Sequence, residues 1–337
     1  MADAVKKTEV HRYVLNPRRA GAVPRAGALL RVHFDDFELP GHADLFPWRE
    51  FGDPALETWL EELRSGRLSQ TLRIAIQAAR DEALAISKNE PLIKGSVINH
   101  ALATDPIDLA VSDVMEARRG TFPAIKIKIG RHAPLEEAAA LQRLSSHWGI
   151  RLRLDANERT TKENLLIFLD ALPIRIRESL ELIEDPFKFD LRAWSDFRRE
   201  TGITIAYDRG PAERGSADQE LEALGEIFSS GAAQVLIHKP AWQDDARATF
   251  ARRKNIPVIV TSILGHPVGN IWAAAKASEL APDSVNGCFS HVAYKEDDAS
   301  RTLIKSKQAR GCRMVGIGVG LGLQSKWFNR LRWESLG

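Results

Sequence analysis

Short apolar segments alternate with longer amphipathic segments through the middle of the chain, beginning with "SVINHAL" at residue 96. The apolar segments that follow have the length of buried strands and read "AIKIKI", "IRLRLD", "LELIED", "ITIAYD", "AQVLIHK" and "IPVIVTS". The segments between them carry apolar residues at helical spacing, as in "APLEEAAALQRLSSHW" (133–148), "TKENLLIFLDAL" and "DLRAWSDFRRETG". Because strands that alternate with helices form βαβ crossovers, this pattern predicts an α/β fold with a parallel sheet.

The first 90 residues follow a mixed pattern. The segment "ALLRVHF" (28–34) predicts a strand, and helices are predicted over 54–66 and 69–87. The first helix is bounded by a proline and a glycine, which are typical start and stop residues. The segment "GHADLFPWREFGD" (41–53) is rich in Gly, Pro and aromatic residues, and it is predicted to be a loop.

Two lysines lie in the segment "AIKIKIG" (124–130). Successive side chains of a strand point to opposite faces, so Lys126 and Lys128 share one face and the isoleucines share the other. A surface edge strand protected by lysine would explain this pair. The ends of the following strands favour a different interpretation.

Charged residues end five consecutive predicted strands, at intervals of 24 to 31 residues: Lys128, Asp155, Glu184, Asp208 and Lys239. An acid after a strand often caps the next helix, so each acid alone has an ordinary structural explanation. Five charged strand ends in succession favour a (β/α) barrel, because the catalytic groups of such barrels meet at the C-terminal ends of the strands. An open sheet would spread the same residues along a line.

Three carboxylates at one mouth of a barrel need a counter-cation, because they otherwise repel and raise one another's pKa. Oxygen ligands around an open site suit Mg²⁺, which keeps water molecules and accepts substrate oxygens. The lysines would flank this cation, and the neighbouring charges would lower the lysine pKa values toward the range of a general base. We therefore expect Lys126 and Lys128 to face a reaction chamber.

The composition limits the class of protein. The 337 residues are enough for a large barrel with an appended domain, and the formal net charge of +2 does not indicate a nucleic acid or membrane partner. Cys288 and Cys312 form neither a disulfide framework nor a zinc-site spacing. No segment has the length of a signal-peptide core or a membrane span. We expect a soluble, cytoplasmic protein that is a monomer or a homo-oligomer.

The motifs "KIKIG", "LRLDAN", "IEDPF", "IAYD" and "IHKP", in this order and at these spacings, resemble the enolase superfamily. The lysine-x-lysine strand and the opposing lysine resemble its muconate-lactonizing-like branch, and most of all the o-succinylbenzoate synthases. The resemblance implies a (β/α)7β TIM-like barrel with an α+β N-terminal capping domain that the C-terminal segment completes. It implies a capping domain over 1–92, a catalytic barrel over 93–300, and a segment over 301–337 that returns to the cap through "GVGLGL" (318–323).

By position, the resemblance implies three ligands for a divalent Mg²⁺: Asp155, Glu184 and Asp208. Lys128 becomes the base that removes a proton α to the carboxylate of a small-molecule substrate. Lys126 lies close enough to lower the pKa of Lys128. Lys239, on the opposite side, becomes a second acid/base or a cationic stabiliser of the intermediate. Asn157 is expected to line the site.

Two segments depart from the family pattern. Asp208 is followed by Arg209 and Gly210, where the family usually has an acid. The seventh-strand segment "TSILGHPVG" contains Thr261 and Ser262, which are expected to bind substrate, but it has "GHP" where the family's later polar cluster stands. We therefore expect this chain to bind the distal end of its substrate differently from the better-known members.

The resemblance favours one reaction and leaves alternatives. It is Mg-dependent proton abstraction giving an enediolate, followed by syn dehydration of 2-succinyl-6-hydroxy-2,4-cyclohexadiene-1-carboxylate to o-succinylbenzoate in menaquinone biosynthesis. The eighth-strand region "SVNGCFSHV" lacks the Asp-x-Asp pair common in dipeptide epimerases. An N-succinylamino acid racemase and a muconate-type cycloisomerase are the alternatives within the superfamily. A catalytically silent barrel that acts as a binding protein is the alternative outside enzymes.

Four further aromatic or imidazole side chains have two interpretations each. His266 and His291 are candidate catalytic groups, but we favour a loop or packing role for both. Phe46 and Trp48, in the predicted cap loop, either cover the pocket or pack the cap against the barrel.

Overall fold

The computed structural model describes residues 5–18, 21–208, 217–295, 301, 309–322 and 325–336. The N-terminal unit contains three strands and two helices: β1 (Val5–Leu15), β2 (Arg25–Phe34), β3 (Gly41–Leu45), α1 (Leu56–Ser65) and α2 (Gln70–Ser87). The three strands are antiparallel in the order β1-β2-β3, with Val10 opposite Leu30 and Leu30 opposite Ala43. All three of these side chains are buried, so the sheet has an apolar face.

Helix α2 covers this sheet through its apolar stripe. Leu72, Ile76, Ala79 and Ala83 are buried at helical spacing. A Cβ atom on Gly41 would lie 1.7 Å from the carbonyl oxygen of Ala79. Only glycine therefore allows the start of β3 to lie this close to the helix.

Eight strand positions form the barrel, and the first of them is interrupted at one residue: β4 (Ser96–Asn99) with β5 (Ala101–Ala103), β6 (Ala124–Lys128), β7 (Arg151–Asp155), β8 (Leu180–Glu184), β9 (Ile205–Tyr207), β10 (Val235–His238), β11 (Val258–Val260) and β12 (Val285–Asn286). From β5 to β11 the strands are parallel and pair in sequence order. β12 pairs in parallel with β4 and is bridged to β11 through Gly287 and Thr261. The predicted (β/α)7β barrel is confirmed.

Seven crossovers connect these strands, and their helices are α3 (Val111–Arg119), α4 (Pro134–Gln142), α5 (Lys162–Ala171) with α6 (Ile174–Arg177), α7 (Leu191–Thr201), α8 (Ala217–Ser229), α9 (Ala246–Arg253) and α10 (Pro267–Leu280). Side-chain caps start α5, α7 and α10, since Thr161 accepts from Asn164 N, Asp190 from Ala193 N and His266 from Val268 N. Within the described ranges, no helix combines the length and the apolar character needed to cross a bilayer.

The C-terminal segment returns to the N-terminal unit, and its described elements are β13 (Ala309–Arg310), β14 (Arg313–Val315), α11 (Ser325–Phe328) and β15 (Glu334–Ser335). β15 is antiparallel to β1 and adds a fourth strand to the N-terminal sheet. Leu321 N donates to the buried Glu82 Oε1 of α2 at 3.2 Å. The capping unit is therefore completed from both ends of the chain. The boundaries 1–92, 93–300 and 301–337 stay predictions.

Two predicted elements were wrong. Segment 41–53 is not a loop, because β3 pairs with β2 and a short 3-10 helix (Arg49–Phe51) follows it. Besides pairing with β2, β3 is covered by α2. Most of its residues are therefore buried, and the polar–apolar alternation that would predict a strand is absent. The helix predicted over 133–148 ends at Gln142, since the chain turns there and brings Trp148 into the core.

Candidate active site

The charged strand ends meet at one mouth of the barrel. Lys128, Asp155 and Glu184 are the last residues of β6, β7 and β8, and they lie side by side in the strand register. Asp208 and Lys239 immediately follow β9 and β10. Parallel strands that pair in sequence order present these positions in one row, which the barrel curls into a ring.

Ion pairs connect the six predicted charged side chains into one buried network. Lys126 Nζ lies 2.8 Å from Glu184 Oε2 and 3.0 Å from Asp155 Oδ2. Lys128 Nζ lies 3.0 Å from the same Asp155 oxygen. Lys239, on the other side, pairs with Asp208 and lies 4.0 Å from Glu184 Oε1. The lysines of β6 therefore face the barrel mouth, and the edge-strand interpretation is wrong.

The two neighbouring lysines differ in pKa. Burial disfavours the ammonium form of Lys126, but Asp155 and Glu184 outweigh burial and raise its pKa. Burial lowers the pKa of Lys128, and the charge of Lys126 lowers it further against the opposing effect of Asp155. The lowering expected for both lysines therefore holds for Lys128 and is wrong for Lys126, because Lys126 contacts two carboxylates.

The carboxylates differ as well. Burial would raise the pKa of Asp155, but Lys126 and Lys128 outweigh burial and hold it below its usual range. Burial raises the pKa of Glu184, and the negative charge of Asp155 adds to this effect. Additional positive charge near Glu184 would therefore stabilise its ionised carboxylate.

Two buried carboxylate oxygens of this network, Glu184 Oε1 and Asp208 Oδ1, have no hydrogen-bond partner among the described residues. An unpaired buried carboxylate oxygen is costly, and a hard divalent cation is the partner that such oxygens prefer. In the described part of the chain, no three acidic, His or Cys side chains already surround one point as metal ligands do. The carboxylates are donors that suit Mg²⁺ in chemistry. Because ammonium groups lie between them, the lysine and carboxylate side chains would have to move apart before the metal could bind.

Residues one or two positions after the candidate metal ligands hold the ends of these strands in place through hydrogen bonds. Asn157 Nδ2 donates to Asp155 Oδ1, and the Asp185 carboxylate accepts the backbone N–H of Asp208 at 3.0 Å. Asn157, Glu158 and Asp185 all have positive φ angles, between 44° and 57°. Left-handed backbone at non-glycine residues costs free energy and clusters at functional sites. Asp185, which follows β8, links the ends of β8 and β9 through its bond to Asp208.

A cavity of about 560 Å³ opens above the ring, lined by residues of the barrel and the cap. Lys126, Lys128, Asp155, Asn157 and Lys239 line it, together with Thr261 and Ser262 on its opposite wall. The predicted catalytic lysines and substrate-binding residues therefore border one space.

The cap contributes two aromatic side chains to this cavity, Trp48 and Phe51. Trp48 Nε1 donates to Ile263 O at 2.6 Å, so the cap contacts the cavity wall directly. Phe46 is buried in a separate cluster and does not line the cavity. The covering role predicted for the cap loop is therefore met by Trp48 and Phe51, and Phe46 has the packing role.

Several cavity residues were not predicted: His100, Leu102, Trp242, Phe289 and Ser290. They follow or interrupt barrel strands, but apolar and hydroxyl side chains there give no charge signal in the sequence. His266 caps α10 and its ring packs at a tilt against Tyr13, with 4.7 Å between the ring centroids, which confirms its packing role, while the side chain of His291 lies outside the described residues. Arg209 and Gly210 also lie outside them.

Family comparisons agree with this geometry. Residues 8–85 match the family described as "O-succinylbenzoate synthase, N-terminal domain", and residues 110–243 match "Enolase C-terminal domain-like". An o-succinylbenzoate synthase from Bdellovibrio bacteriovorus is 31% identical over 96% of this chain and 97% of its own length. One from Yersinia pseudotuberculosis is 26% identical over 84% of this chain and 90% of its own length.

Solved structures share the fold at low identity. A dipeptide epimerase from Cytophaga hutchinsonii, complexed with Mg and the dipeptide D-Ala-L-Val, has a TM-score of 0.75 and 14% identity, covering 99% of this chain and 100% of its own. A mandelate racemase/muconate lactonizing enzyme from Sorangium cellulosum has a TM-score of 0.73 and 18% identity, covering 96% and 99%. This chain belongs to the o-succinylbenzoate synthase family of the enolase superfamily, and it is an enzyme of the lyase class.

Proposed function

We propose that this enzyme converts 2-succinyl-6-hydroxy-2,4-cyclohexadiene-1-carboxylate to o-succinylbenzoate, the dehydration step of menaquinone biosynthesis, in a Mg²⁺-dependent reaction. The observation that carries the proposal is the ring of three lysines and three carboxylates beneath one cavity that the barrel and the cap line together. The names of the relatives in the o-succinylbenzoate synthase family support the choice of substrate.

Lys128 is proposed as the base. Its side chain borders the cavity, burial lowers its pKa, and its neighbour Lys126 stays charged. Lys128 Nζ takes the proton from the carbon that bears the substrate carboxylate, which leaves an enediolate. The C–O bond at the adjacent carbon then breaks, and the same Nζ returns the proton to the departing hydroxyl as water. Base and acid on one face give syn elimination, and the ring becomes aromatic.

Asp155, Glu184 and Asp208 are proposed to hold Mg²⁺, because they supply three hard oxygen donors and two of their buried oxygens accept no hydrogen bond from the described residues. When bound, Mg²⁺ supplies positive charge beside the substrate carboxylate. The residues around these ligands keep them in place, since Asn157 donates to Asp155 and Asp185 accepts the amide of Asp208.

Lys126 and Lys239 are proposed as cations that stabilise the enediolate from two sides. Lys126 is held charged by Asp155 and Glu184, while Lys239 pairs with Asp208 across the ring. Preorganised positive charge in a buried site favours a transition state with more negative charge than the substrate. Thr261 and Ser262, on the far wall of the cavity, are proposed to contact the rest of the substrate.

N-succinylamino acid racemisation is the second candidate function. Lys128 and Lys239 lie on opposite sides of the carboxylates, and such an arrangement allows one lysine to remove a proton and the other to replace it on the opposite face. A muconate-type cycloisomerisation has no comparable supporting contact. The binding-protein alternative is set aside, since the chain belongs to a family of enzymes.

The test is a substrate panel with the purified, Mg²⁺-loaded enzyme. We expect the absorbance of the cyclohexadiene substrate to disappear as aromatic product forms, and a chelated sample serves as the control. An enzyme that leaves the diene unchanged but racemises an N-succinylamino acid, or converts a lactonising substrate, would overturn the proposal. Turnover of both the diene and the N-succinylamino acid would support a dual activity.

A further inference from the structure

The segment "GHPVG" (265–269), which departs from the family pattern, receives a buried carboxylate of the cap. Asp44, on β3, accepts the backbone N–H of His266 through Oδ2 at 3.0 Å. Tyr13, on β1, donates its hydroxyl to Asp44 Oδ1 at 2.5 Å. His266 is the N-cap of α10, so Asp44 lies at the positive end of this helix.

Two glycines of the segment make room for this carboxylate. A Cβ atom on Gly265 would lie 2.7 Å from Asp44 Oδ2, and a Cβ atom on Gly269 would lie 2.6 Å from it. Neither glycine has the positive φ that would require glycine for backbone reasons. The space occupied by Asp44 is therefore the reason that these positions must lack a side chain.

The four residues before this segment, 261–264, form the far wall of the active-site cavity. Trp48 Nε1 donates to Ile263 O at 2.6 Å and Tyr294 Oη donates to Leu264 O at 2.7 Å, so successive carbonyls are held next to the Asp44 contact. Ile263 and Leu264 line the cavity beside Thr261 and Ser262. Two of these three contacts come from the cap.

A hydrogen-bond chain connects the first turn of α10 to Ser262. Asn270 Nδ2 donates to His266 O at 2.8 Å, and Asn270 Oδ1 accepts from Ser290 Oγ at 3.0 Å. Ser290 Oγ lies 2.6 Å from Ser262 Oγ. The N-terminus of α10 is therefore connected to two hydroxyl groups of the cavity wall.

We propose that Asp44 is a positioning residue that locks the cap to the cavity wall through the Gly265–Gly269 cradle, and thereby sets the affinity for the distal part of the substrate. The proposal deepens the proposed function and rests on it for its kinetic readout. The lysines and carboxylates lie on β6 to β10, away from this contact. The lock therefore acts on substrate binding and leaves the chemical step to the ring.

The first test compares single variants by KM and kcat for the diene substrate. Asp44→Ala is expected to raise KM about tenfold while kcat stays within about twofold, as the loss of a charge-assisted hydrogen bond predicts. Asp44→Asn keeps an acceptor for His266 N–H and is expected to raise KM less than Asp44→Ala. A variant that merely unfolds part of the protein lowers kcat per protein and leaves KM unchanged, and this result for Asp44→Ala would overturn the proposal.

The second test uses the cradle. Gly265→Ala is expected to raise KM as much as Asp44→Ala does, because the new Cβ displaces the carboxylate. In the double variant Asp44→Ala/Gly265→Ala the methyl group enters the vacated space, where its next neighbour is Phe46 Cβ at 3.5 Å, so KM is expected to match that of Asp44→Ala alone. Equal, multiplicative effects of Gly265→Ala in both backgrounds would contradict the lock. Gly225→Ala, in α8, is the matched control, since its Cβ meets only Phe250 Cζ at 3.7 Å.

Thermal unfolding separates this proposal from the proposed function. If the wild-type enzyme does not turn over the diene, the proposed function fails, and the coupling between residues 44 and 265 is read from Tm instead. Gly265→Ala is expected to lower Tm in the wild-type background and to have no effect beside Asp44→Ala. An equal lowering of Tm in both backgrounds would overturn the lock whatever the substrate is.

Discussion

The ring of charges and the far wall of the cavity border the same space, but the chain builds them differently. Lys126, Lys128, Asp155 and Glu184 lie on adjacent strands, and their contacts join residues 27 to 58 positions apart. The wall depends on the contact between Asp44 and His266, which are 222 positions apart. Strand register thus arranges the charged groups, whereas contacts with the cap hold the far wall of the cavity.

Metal removal should have the largest effect, and it should act on the ring of charges and not on the far wall. With a chelator, activity is expected to fall at least about a thousandfold, because the carboxylates lose the cation that they need for charge stabilisation. Adding Mg²⁺ should restore it. Glu184→Gln should weaken Mg²⁺ binding measured by calorimetry, while Asp44→Ala, in the other region, should leave that affinity unchanged. Full activity in chelator would contradict the role of the carboxylates.

Removal of Lys126 tests the electrostatics of the ring. Lys126→Met leaves Asp155 and Glu184 buried without their shared cation, so the metal-free protein is expected to lose about 3 to 5 kcal/mol of unfolding free energy. Saturating Mg²⁺ should recover part of this loss, because the metal replaces the missing positive charge. Denaturant unfolding with and without Mg²⁺ provides the measurement. A loss that is independent of Mg²⁺ would separate Lys126 from the metal site.

The pH dependence of stability tests the wall. Burial raises the pKa of Asp44 to about 7, and the hydrogen bonds from Tyr13 and His266 offset only part of this. A carboxyl group with a raised pKa in the folded state favours folding when protonated, and this contribution is lost as pH rises from about 4 to about 7. Relative to Asp44→Asn, the wild type is expected to lose about 3 to 4 kcal/mol over this range. Parallel curves of stability against pH for the wild type and Asp44→Asn would contradict the raised pKa of Asp44.

The smallest expected effect concerns Trp48, the aromatic side chain of the cap that covers the cavity. Trp48→Phe keeps an aromatic side chain over the cavity but removes the hydrogen bond to Ile263 O. One neutral hydrogen bond contributes about 1 kcal/mol, so KM is expected to rise about fivefold with little change in kcat. Phe51→Leu, which alters the cover without a hydrogen bond, is the comparison. A fall in kcat without a change in KM would place Trp48 with the chemistry instead.

The sequence predicts the barrel and the ring because both depend on local patterns. Each strand is a short apolar run, and the charge that ends it, such as Asp155 or Glu184, is adjacent in the chain. The ring follows once the strands are placed in order. Lys126 and Lys128 also occupy the same face of β6, as strand alternation requires.

The wall was beyond the sequence for physical reasons. Asp44 lies in a segment whose Gly, Pro and aromatic composition indicates a loop. The part of the segment that contains Asp44 is a strand, but it is buried on both faces and therefore lacks the alternation of polar and apolar residues that would predict one. Gly265 and Gly269 are explained by the volume of a side chain more than two hundred residues away. Neither composition nor periodicity records such a contact.

The most direct test of the central claim is turnover of the diene by Lys128→Ala, with Mg²⁺ binding measured on the same sample. We predict that kcat falls at least about a thousandfold, as loss of a general base implies, while Mg²⁺ affinity stays near that of the wild type. Lys254→Ala, at an exposed lysine after α9, should behave as wild type. Substantial diene turnover by Lys128→Ala would contradict the account.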